Sequence, residues 1–272
     1  MPPESQATDR LPSYFLPHGA GPCFFMEWNP PDAWDRMAAY LRGLAAGLPA
    51  RPRAILAISA HWLEPAFTVA SAARPELIFD YYGFPEHTYR LTWPAPGEPA
   101  LAARVVALLQ GAGLAAREDP VRGLDHGVFV PLKLVFPDAG LPVVPLSLRS
   151  DLDPAAHLAA GRALAPLRDE GVLVLGSGMS FHNMRGYGDP RYGPISDAFD
   201  AWLGDAVAQP DAAARERALA GWAAAPGGLQ SHPKGQEEHL LPLMVAAGAG
   251  GPGRRDFSDR VLETTLSAFR FD

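Results

Sequence analysis

Short, uninterrupted apolar runs mark the predicted strands of this chain. Three of them cover residues 54–59, 141–148 and 172–176. Apolar runs of this length without alternation are typical of strands whose two faces are both covered, as in a parallel sheet. Pro145 lies inside the second run and lacks the amide hydrogen that a ladder needs, so we expect an edge or irregular position for that strand.

Helical patterns alternate with these strands. In each pattern apolar residues recur at steps of three and four, usually with a proline near the start. The alternation predicts an α/β fold, a single three-layer domain over residues 1–272 with a central, largely parallel mixed sheet flanked by helices. Ligands bind such sheets at the carboxyl ends of the strands. The predicted helices are 31–48, 99–109, 154–168, 195–208 and 238–247.

Two segments interrupt this alternation. Residues 78–99 are rich in aromatic and turn-forming residues and have little regular period, which is typical of a binding loop. Tyr82, Phe84 and Trp93 in this stretch can wall a flat aromatic substrate, or they can simply fill the core. Residues 245–253 are rich in alanine and glycine, and we expect a flexible surface loop there.

Composition and charge narrow the class of protein. Of 272 residues, 48% are hydrophobic and 19% are charged, which is enough apolar material for a sizeable core. The formal net charge of −7 disfavours binding to nucleic acid or to anionic membranes. The sequence has no secretory signal and no apolar stretch of the roughly 18 residues that a membrane span needs, so we expect a cytoplasmic monomer or small homo-oligomer. Cys23 is the only cysteine, which excludes an intrachain disulfide, and we interpret it as a packing residue.

Histidine is the chemically informative residue of this chain. Five of the eight histidines stand where an apolar run ends or in a turn bounded by glycine or proline. Imidazole is the commonest metal ligand and the side chain most easily tuned for proton transfer near neutral pH. We therefore predict that the five share one site. They are His18, His61, His126, His182 and His239.

The spacing of these histidines excludes a local zinc module. The chain contains neither His-Glu-x-x-His nor Cys-x-x-Cys, so a metal site must be assembled from distant segments. His87 and His157 are interpreted as surface residues, on a loop and on a helix. His232 and His239 are separated by a Pro-Lys-Gly turn, and we expect His239 to lie in the first turn of the helix predicted over 238–247.

Seven short motifs occur in a fixed order along the chain. They are His18-Gly19, Ser59-Ala60-His61-Trp62, Tyr82-Gly83-Phe84-Pro85, Pro94-Ala95-Pro96-Gly97, Asp125-His126-Gly127, His182-Asn183 and the block from His232-Pro233 to His239-Leu240-Leu241-Pro242-Leu243. Each motif alone is common, but the ordered set is specific. It resembles the 4,5-DOPA dioxygenase-type extradiol dioxygenases, relatives of the catalytic subunit of protocatechuate 4,5-dioxygenase. The resemblance runs from about Leu16 to Val245.

The resemblance implies a metal-dependent enzyme that opens the ring of a DOPA-like catechol with O₂. It implies one mononuclear site for Fe(II) or Zn(II), with ligands at His18, His61 and His239. The interval from His232 to His239 is longer here than in the family pattern, which leaves both as candidates for the third ligand. The same histidines also suit a zinc hydrolase or a non-catalytic metal-binding protein.

The resemblance also implies roles in proton transfer. His182 matches a position that serves as an acid or base or as an additional metal ligand, and His126 matches a histidine near the substrate. Glu237, Glu238 and Asp125 are candidates for an acidic ligand or for side chains that orient a ligand.

Overall fold

The computed structural model describes residues 10–272, and an eight-stranded sheet forms its centre. In chain order the strands are β1 Ser13–Pro17, β2 Ala54–Glu64, β3 Phe67–Ala70, β4 Ala116–Asp119, β5 Val143–Arg149, β6 Val172–Gly178, β7 Gly253–Val261 and β8 Thr264–Phe271. Across the sheet they follow the order β4-β3-β5-β2-β6-β1-β8-β7.

The middle of the sheet is parallel and its two sides contain the antiparallel pairs. β2 pairs in parallel with both β5 and β6, and β6 pairs in parallel with β1. On one side β3 is antiparallel to β5 and parallel to β4, and on the other side β8 is antiparallel to β1 and β7. The predicted α/β fold with a largely parallel mixed sheet is confirmed.

Both faces of the middle strands are buried, which explains the uninterrupted apolar runs. Along β2, Leu56 and Ile58 belong to one hydrophobic cluster, whereas Ile55 and Ala57 belong to the other. A strand covered on both sides has no solvent face and therefore no alternation. Cys23 packs in the second cluster, and burial raises the pKa of its thiol, as expected of a packing residue.

Eight α-helices flank the sheet within residues 10–272, and the five predicted helices are among them with shifted ends. The helix predicted from residue 238 begins only at Leu241, so His239 stands in the turn before it. No helix in the described part of the chain combines the length and apolarity that a membrane crossing requires. The helices are α1 Asp35–Leu44, α2 Pro99–Gly111, α3 His126–Val135, α4 Pro154–Leu164, α5 Gly193–Val207, α6 Ala212–Ala220, α7 Gly228–Ser231 and α8 Leu241–Ala249.

Pro145 lies in an interior strand, so of the edge or irregular position that we expected, the edge position is wrong, while the pairing of the strand is irregular. Its strand β5 runs between β2 and β3, and Pro145 pairs in register with Ala57 of β2. On the other side, β5 and β3 share a single register pair, Val69 with Leu146. A missing amide hydrogen is tolerated here because the ladder on that side is so short.

The stretch 245–253 is not a surface loop, which corrects the expectation drawn from its alanine and glycine content. Most of it belongs to α8, which is buried along nearly its whole length. A Cβ atom added to Gly248 would collide with the carbonyl of Leu158, and one added to Gly161 would collide with the carbonyl of Val245. The small residues therefore allow α8 to pack closely on α4.

Candidate metal centre

The five predicted histidines meet at one end of the sheet. His18 follows β1 directly, His61 lies in β2, and His182 follows β6 by a few residues. His126 is the first residue of α3, and His239 stands two residues before α8. Because β1, β6 and β2 are neighbouring parallel strands, their carboxyl ends lie at the same edge of the sheet.

The strand that carries His61 is irregular at this point. Ser59 is the last residue of β2 that pairs with β6, and the register with β5 shifts between Ile58 and Leu63. Irregularities of this kind change the direction of the side chains beside them. His61 therefore lies inside the strand rather than after its end, where the sequence pattern predicts it.

Three imidazoles face one another at the floor of the site. The Nε2 atoms of His18 and His61 are 3.2 Å apart, and those of His61 and His239 are 3.3 Å apart. One nitrogen from each ring lies within 4.8 Å of the other two. A tetrahedral cation about 2.0–2.1 Å from imidazole nitrogens holds them about 3.3 Å apart. The spacing of the three rings therefore fits a single metal ion.

Oxygen atoms face Nδ1 of each of these three rings. His18 Nδ1 lies 2.9 Å from the carbonyl oxygen of the next residue, and His239 Nδ1 lies 2.9 Å from Glu238 Oε1. His61 Nδ1 faces Asp80 Oδ2 at 3.9 Å. The first two oxygens accept hydrogen bonds from Nδ1 of His18 and His239, and the nearby carboxylate charge favours the hydrogen on Nδ1 of His61 as well, so each Nε2 presents a lone pair. The short contacts between Nε2 atoms are therefore not hydrogen bonds, and a cation between the three lone pairs would stabilise them.

The surroundings keep these rings neutral. Burial, followed by the neighbouring histidines, lowers the pKa of His18 and His239 well below the usual value. Burial, followed by His126, lowers the pKa of His61 to about 3. Neutral imidazole is the form that binds a metal. At neutral pH the floor can therefore accept a cation without first releasing protons.

His182 stands beside the floor. Its ring stacks on that of His239, with centroids 3.3 Å apart and 13° between the planes. Its Nδ1 lies 3.9 Å from Glu238 Oε1, and its backbone amide donates to the carbonyl of Ser231. Burial, followed by His126, lowers the pKa of His182 to about 4, so this ring is also neutral at pH 7.

His126 borders the same space from the start of α3. Its ring centroid is 3.9 Å from that of His61 and 5.4 Å from that of His18. Its Nδ1 and its backbone amide lie 2.8 and 2.9 Å from Asp80 Oδ1. Burial acts to raise the pKa of Asp80, but the hydrogen bonds from the ring and backbone of His126 outweigh it and lower that pKa. Asp80 is therefore an ionised acceptor for both N–H groups.

An apolar cavity of about 350 Å³ opens onto the five rings. A volume of this size is typical of sites for small organic ligands. Its walls are aromatic and aliphatic, so the polar groups of a ligand would be directed to the histidine floor. Besides the histidines and the turn after His18, the cavity is lined by Trp28, Trp34, Phe84, Met179, Met184, Tyr187 and Leu262.

Residues 14–266 match the family described as the catalytic LigB subunit of aromatic ring-opening dioxygenase. The matched range includes all five histidines and nearly all of the described chain. The chain belongs to this family. It is therefore an enzyme of the extradiol, ring-opening dioxygenases, in agreement with the resemblance seen in the sequence.

Three curated relatives illustrate the range of similarity to this dioxygenase. Dioxygenase tasH of Hapsidospora irregularis is 44% identical over 213 residues, which are 73% of this chain and 64% of the relative, just under two thirds of its length. The 4,5-DOPA dioxygenase extradiol of Beta vulgaris is 42% identical over 204 residues, 74% of each chain. That of Escherichia coli (strain K12) is 34% identical over 254 residues, 89% of this chain and 86% of the relative.

A solved structure shares the fold of this dioxygenase. The crystal structure of an uncharacterized protein from Escherichia coli K12 superimposes with a TM-score of 0.76 at 30% sequence identity. The superposition covers 97% of this chain and 100% of the other.

Of the three aromatic residues expected to wall the substrate of this dioxygenase, only Phe84 lines the cavity. Tyr82 is 91% exposed to solvent and is not among the lining residues. Trp93 is 3% exposed and donates through Nε1 to a backbone carbonyl, so it belongs to the core. Trp28 and Trp34, which the sequence did not single out as wall residues, line the cavity instead because the chain before α1 folds over it.

His232 is not part of the floor. It is fully buried and its Nε2 lies 3.0 Å from the carbonyl oxygen of Ser180, to which it donates. Its ring packs edge-on against Trp222. Of the two candidates for the third metal ligand, His239 is the one whose Nε2 faces His61.

The surface position that the sequence pattern predicts for His157 is wrong. It is fully buried rather than on the surface, whereas His87 is exposed as predicted. His157 Nδ1 donates to the carbonyl of Asp153, and its Nε2 accepts from the backbone amide of Arg149. Burial lowers the pKa of His157 to about 4. The neighbouring elements cover this face of α4, which a helical period alone does not reveal.

Two carboxylates contact the histidines of the site, and the sequence pattern indicated only one. Glu238 lies where an orienting residue is expected, but Asp80 was missed. Its only local signal is being the one charged side chain in an aromatic run. Asp125 is buried and accepts from the hydroxyl of Ser59 at 2.7 Å, so it supports the backbone beneath the site. Among the described residues, Glu237 makes no hydrogen bond or ion pair with a histidine.

Proposed function

We propose that this dioxygenase cleaves the ring of a DOPA-like catechol with O₂ at a mononuclear metal bound by His18, His61 and His239. The observation that carries the proposal is the approach of three Nε2 lone pairs, at 3.2 and 3.3 Å, beneath an apolar cavity. The family description and the relatives named 4,5-DOPA dioxygenase extradiol support the substrate class. The proposal treats residues 1–272 as one catalytic domain.

Fe(II) is the metal that best suits this reaction. When bound, it supplies a redox-active cation at which a diol and dioxygen can meet. Triplet dioxygen reacts slowly with a closed-shell catecholate, and Zn(II) has no redox chemistry to overcome this. Zn(II) nevertheless suits the same three imidazoles, because an all-imidazole set is also an ordinary zinc site.

The walls of the cavity orient the substrate. Trp28, Trp34 and Phe84 offer apolar surface to a flat ring and exclude water from it. With the ring against these walls, the two catechol hydroxyls turn toward the histidines. Orientation of this kind removes much of the entropic cost of bringing reactants together.

His182 is the base in this proposal. Its pKa of about 4 leaves the ring neutral at pH 7 and able to accept the proton that the catechol hydroxyl loses. Its ring is stacked on His239 at the edge of the floor, close to where the hydroxyls lie. A positioned base of this kind contributes about 10²- to 10⁴-fold to the rate.

His126 provides a second route for protons. When the bond between the two oxygen atoms breaks, a general acid donates a proton to the oxygen that takes the electron pair. His182 can do so after it has accepted the catechol proton, and so can His126 once its Nε2 is protonated. His126 lines the cavity while Asp80 holds its Nδ1 at 2.8 Å. Its other ring nitrogen is thereby left for the substrate.

A zinc hydrolase is the second candidate function, and the all-imidazole floor favours it. In that reaction a hydrolysable substrate would replace the catechol, and a water activated at the metal would attack it. The same histidines would serve, but no O₂ would be consumed.

Oxygen uptake separates the two functions. The purified protein is loaded anaerobically with Fe(II) or with Zn(II) and mixed with a panel of catechols with and without an amino-acid tail. With Fe(II) we expect stoichiometric consumption of O₂ and catechol, with a yellow ring-opened product, and with Zn(II) we expect none. An iron-loaded protein that consumes no O₂ with any catechol, while the zinc form hydrolyses an ester or amide, contradicts the proposal.

A further inference from the structure

Asp80 connects two rings of the site through one carboxylate. Its Oδ1 accepts from the backbone amide of His126 at 2.9 Å and from Nδ1 of His126 at 2.8 Å. Its Oδ2 lies 3.9 Å from Nδ1 of His61. The side chain is 24% exposed, so solvent only partly weakens these contacts. One carboxylate thus spans a ring at the metal position and a ring proposed to face the substrate.

Glu238 has the matching position on the other side of the floor. Its Oε1 lies 2.9 Å from Nδ1 of His239 and 3.9 Å from Nδ1 of His182. In both cases the carboxylate joins a ring of the floor to a ring beside it. Asp80 comes from the loop before α2 and Glu238 from the turn before α8. The same arrangement on two unrelated segments indicates that the carboxylates themselves matter.

We propose that Asp80 is a positioning residue that holds His126 in its Nδ1–H tautomer through a hydrogen bond and favours the same tautomer of His61 through its nearby negative charge. Each Nε2 is then left with a lone pair, that of His61 for the metal and that of His126 for the substrate. The inference rests on the proposed function, because it takes His61 as a ligand and His126 as a neighbour of the substrate. Partners of this kind, one step away from a metal, typically change metal affinity or activity by about 10- to 100-fold.

A cation of its own, held by His61, Asp80 and His126, is the competing explanation, since their ligand atoms lie within 4.8 Å of one another. Two contacts argue against it. Oδ1 of Asp80 already accepts two N–H groups, and Nδ1 of His126 is a donor in one of them. A metal there would displace that hydrogen and would share His61 with the floor.

Two substitutions separate the effect of Asp80 on His126 from its effect on His61. Asp80→Asn keeps an oxygen for the two N–H groups of His126 but turns an amide NH₂ toward Nδ1 of His61, whereas Asp80→Ala removes both contacts. We expect Asp80→Ala to lower kcat about 10- to 100-fold and to weaken Co(II) binding about 10-fold. Asp80→Asn should recover most of kcat while Co(II) binding stays weak. Co(II) alone, titrated by its visible absorption, reports the metal site independently of turnover.

A matched variant controls for the loss of one negative charge. Glu86→Gln makes the same change in charge on the same loop, at an exposed side chain paired with Arg90. Exposed pairs of this kind contribute little, so we expect less than about a twofold change in kcat and Co(II) affinity. An equal loss in Glu86→Gln and Asp80→Asn would assign the effect to charge and overturn the proposal.

The remaining outcomes are also decisive. Asp80→Ala with the Co(II) affinity and kcat of the wild type overturns the proposal, as does a change in KM alone. If Asp80→Ala does not fold, an unchanged Co(II) affinity and spectrum in Asp80→Asn overturns it. Failure of the proposed function looks different, because the iron-loaded wild-type protein would then consume no O₂ with any catechol, while the Co(II) titrations of the wild type and the Asp80 variants would still report the role of Asp80 at His61.

Discussion

The floor of the cavity and its mouth are built in different ways. At the floor, buried rings have an oxygen acceptor at Nδ1, as His18 has in the carbonyl of Gly19 and His239 has in Glu238. We call the loop residues Phe84 and Met184 that line the cavity its mouth. Met184 is 69% exposed there, and Phe84 packs against neighbouring hydrophobic residues. Loops on a rigid scaffold commonly carry specificity. The difference indicates that the floor sets the chemistry and the mouth sets which ring can enter.

Removing a floor ring should have the largest effect. In His61→Ala we expect metal affinity to fall more than about 100-fold, beyond the effect of losing a supporting partner, and ring cleavage to fall to background. The reason is that two lone pairs cannot hold the ion as three do. The loss of metal is measured as metal content after dialysis, and the loss of ring cleavage is measured as O₂ uptake. The control is His87→Ala, which removes an exposed histidine. A His61→Ala protein that retains its metal would contradict the distinction between floor and mouth.

Removing His182, the proposed base, should lower activity without loss of metal. In His182→Ala we expect the metal content of the wild type and a kcat lower by about 10²- to 10⁴-fold, because the proton of the catechol hydroxyl loses its acceptor. Steady-state kinetics and metal analysis on the same preparation check this. If the metal is lost together with activity, His182 is a ligand and belongs to the floor.

His157 tests whether burial alone makes a histidine functional. Its folded pKa of about 4 lies below the ordinary value of 6.5, so on acidification the unfolded chain takes up the proton first. The stabilising contribution is therefore fully present above pH 6.5 and is lost as the pH falls toward 4. The difference amounts to about 3 kcal/mol in the free energy of unfolding.

Replacing His157 with glutamine removes this titration. Denaturant unfolding of the wild type and of His157→Gln between pH 7 and 4 should show a shallower loss of stability in the variant, with kcat unchanged at pH 7. Both proteins keep the floor histidines, so the difference between their slopes isolates His157. Identical slopes would contradict the assignment of a neutral, buried ring.

The mouth should give the smallest effects, in KM rather than in metal binding. Phe84→Ala removes apolar surface from the cavity, and we expect KM for the catechol to rise about 10-fold with kcat and metal content unchanged. Tyr82→Ala, two residues away but exposed, should change KM less than about twofold. Steady-state kinetics of the pair measure the contrast. Equal effects of the two substitutions would mean that the substrate does not contact Phe84, although Phe84 lines the cavity.

The sheet and the histidine floor could be predicted because both follow from local patterns. Apolar runs predict buried strands, and the ends of neighbouring parallel strands meet, so His18 and His61 come together whatever the loops do. Which of His232 and His239 completes the set could not be predicted from spacing. That choice depends on the turn before α8, whose conformation tertiary packing decides.

Asp80, Trp93 and Tyr82 show where sequence patterns stop being informative. All three lie in one irregular loop, where no period tells which side chains face inward. The hydrogen bond from His126 to Asp80 joins residues 46 positions apart, so only the folded chain reveals it. Pro145 adds a different lesson, because a rule about ladder hydrogen bonds fails where the neighbouring strand offers almost none.

The close crossing of α8 over α4 has a consequence for anyone who wishes to redesign this enzyme. His239 stands two residues before α8, and that helix lies so near α4 that Gly161 and Gly248 leave no room for a methyl group. A larger side chain at either glycine would push α8 away from α4. That shift would change the orientation of the His239 imidazole, which precedes α8. Engineering of substrate range is therefore best confined to the loops, since a change at this remote helix crossing would move His239 and with it one wall of the histidine cluster.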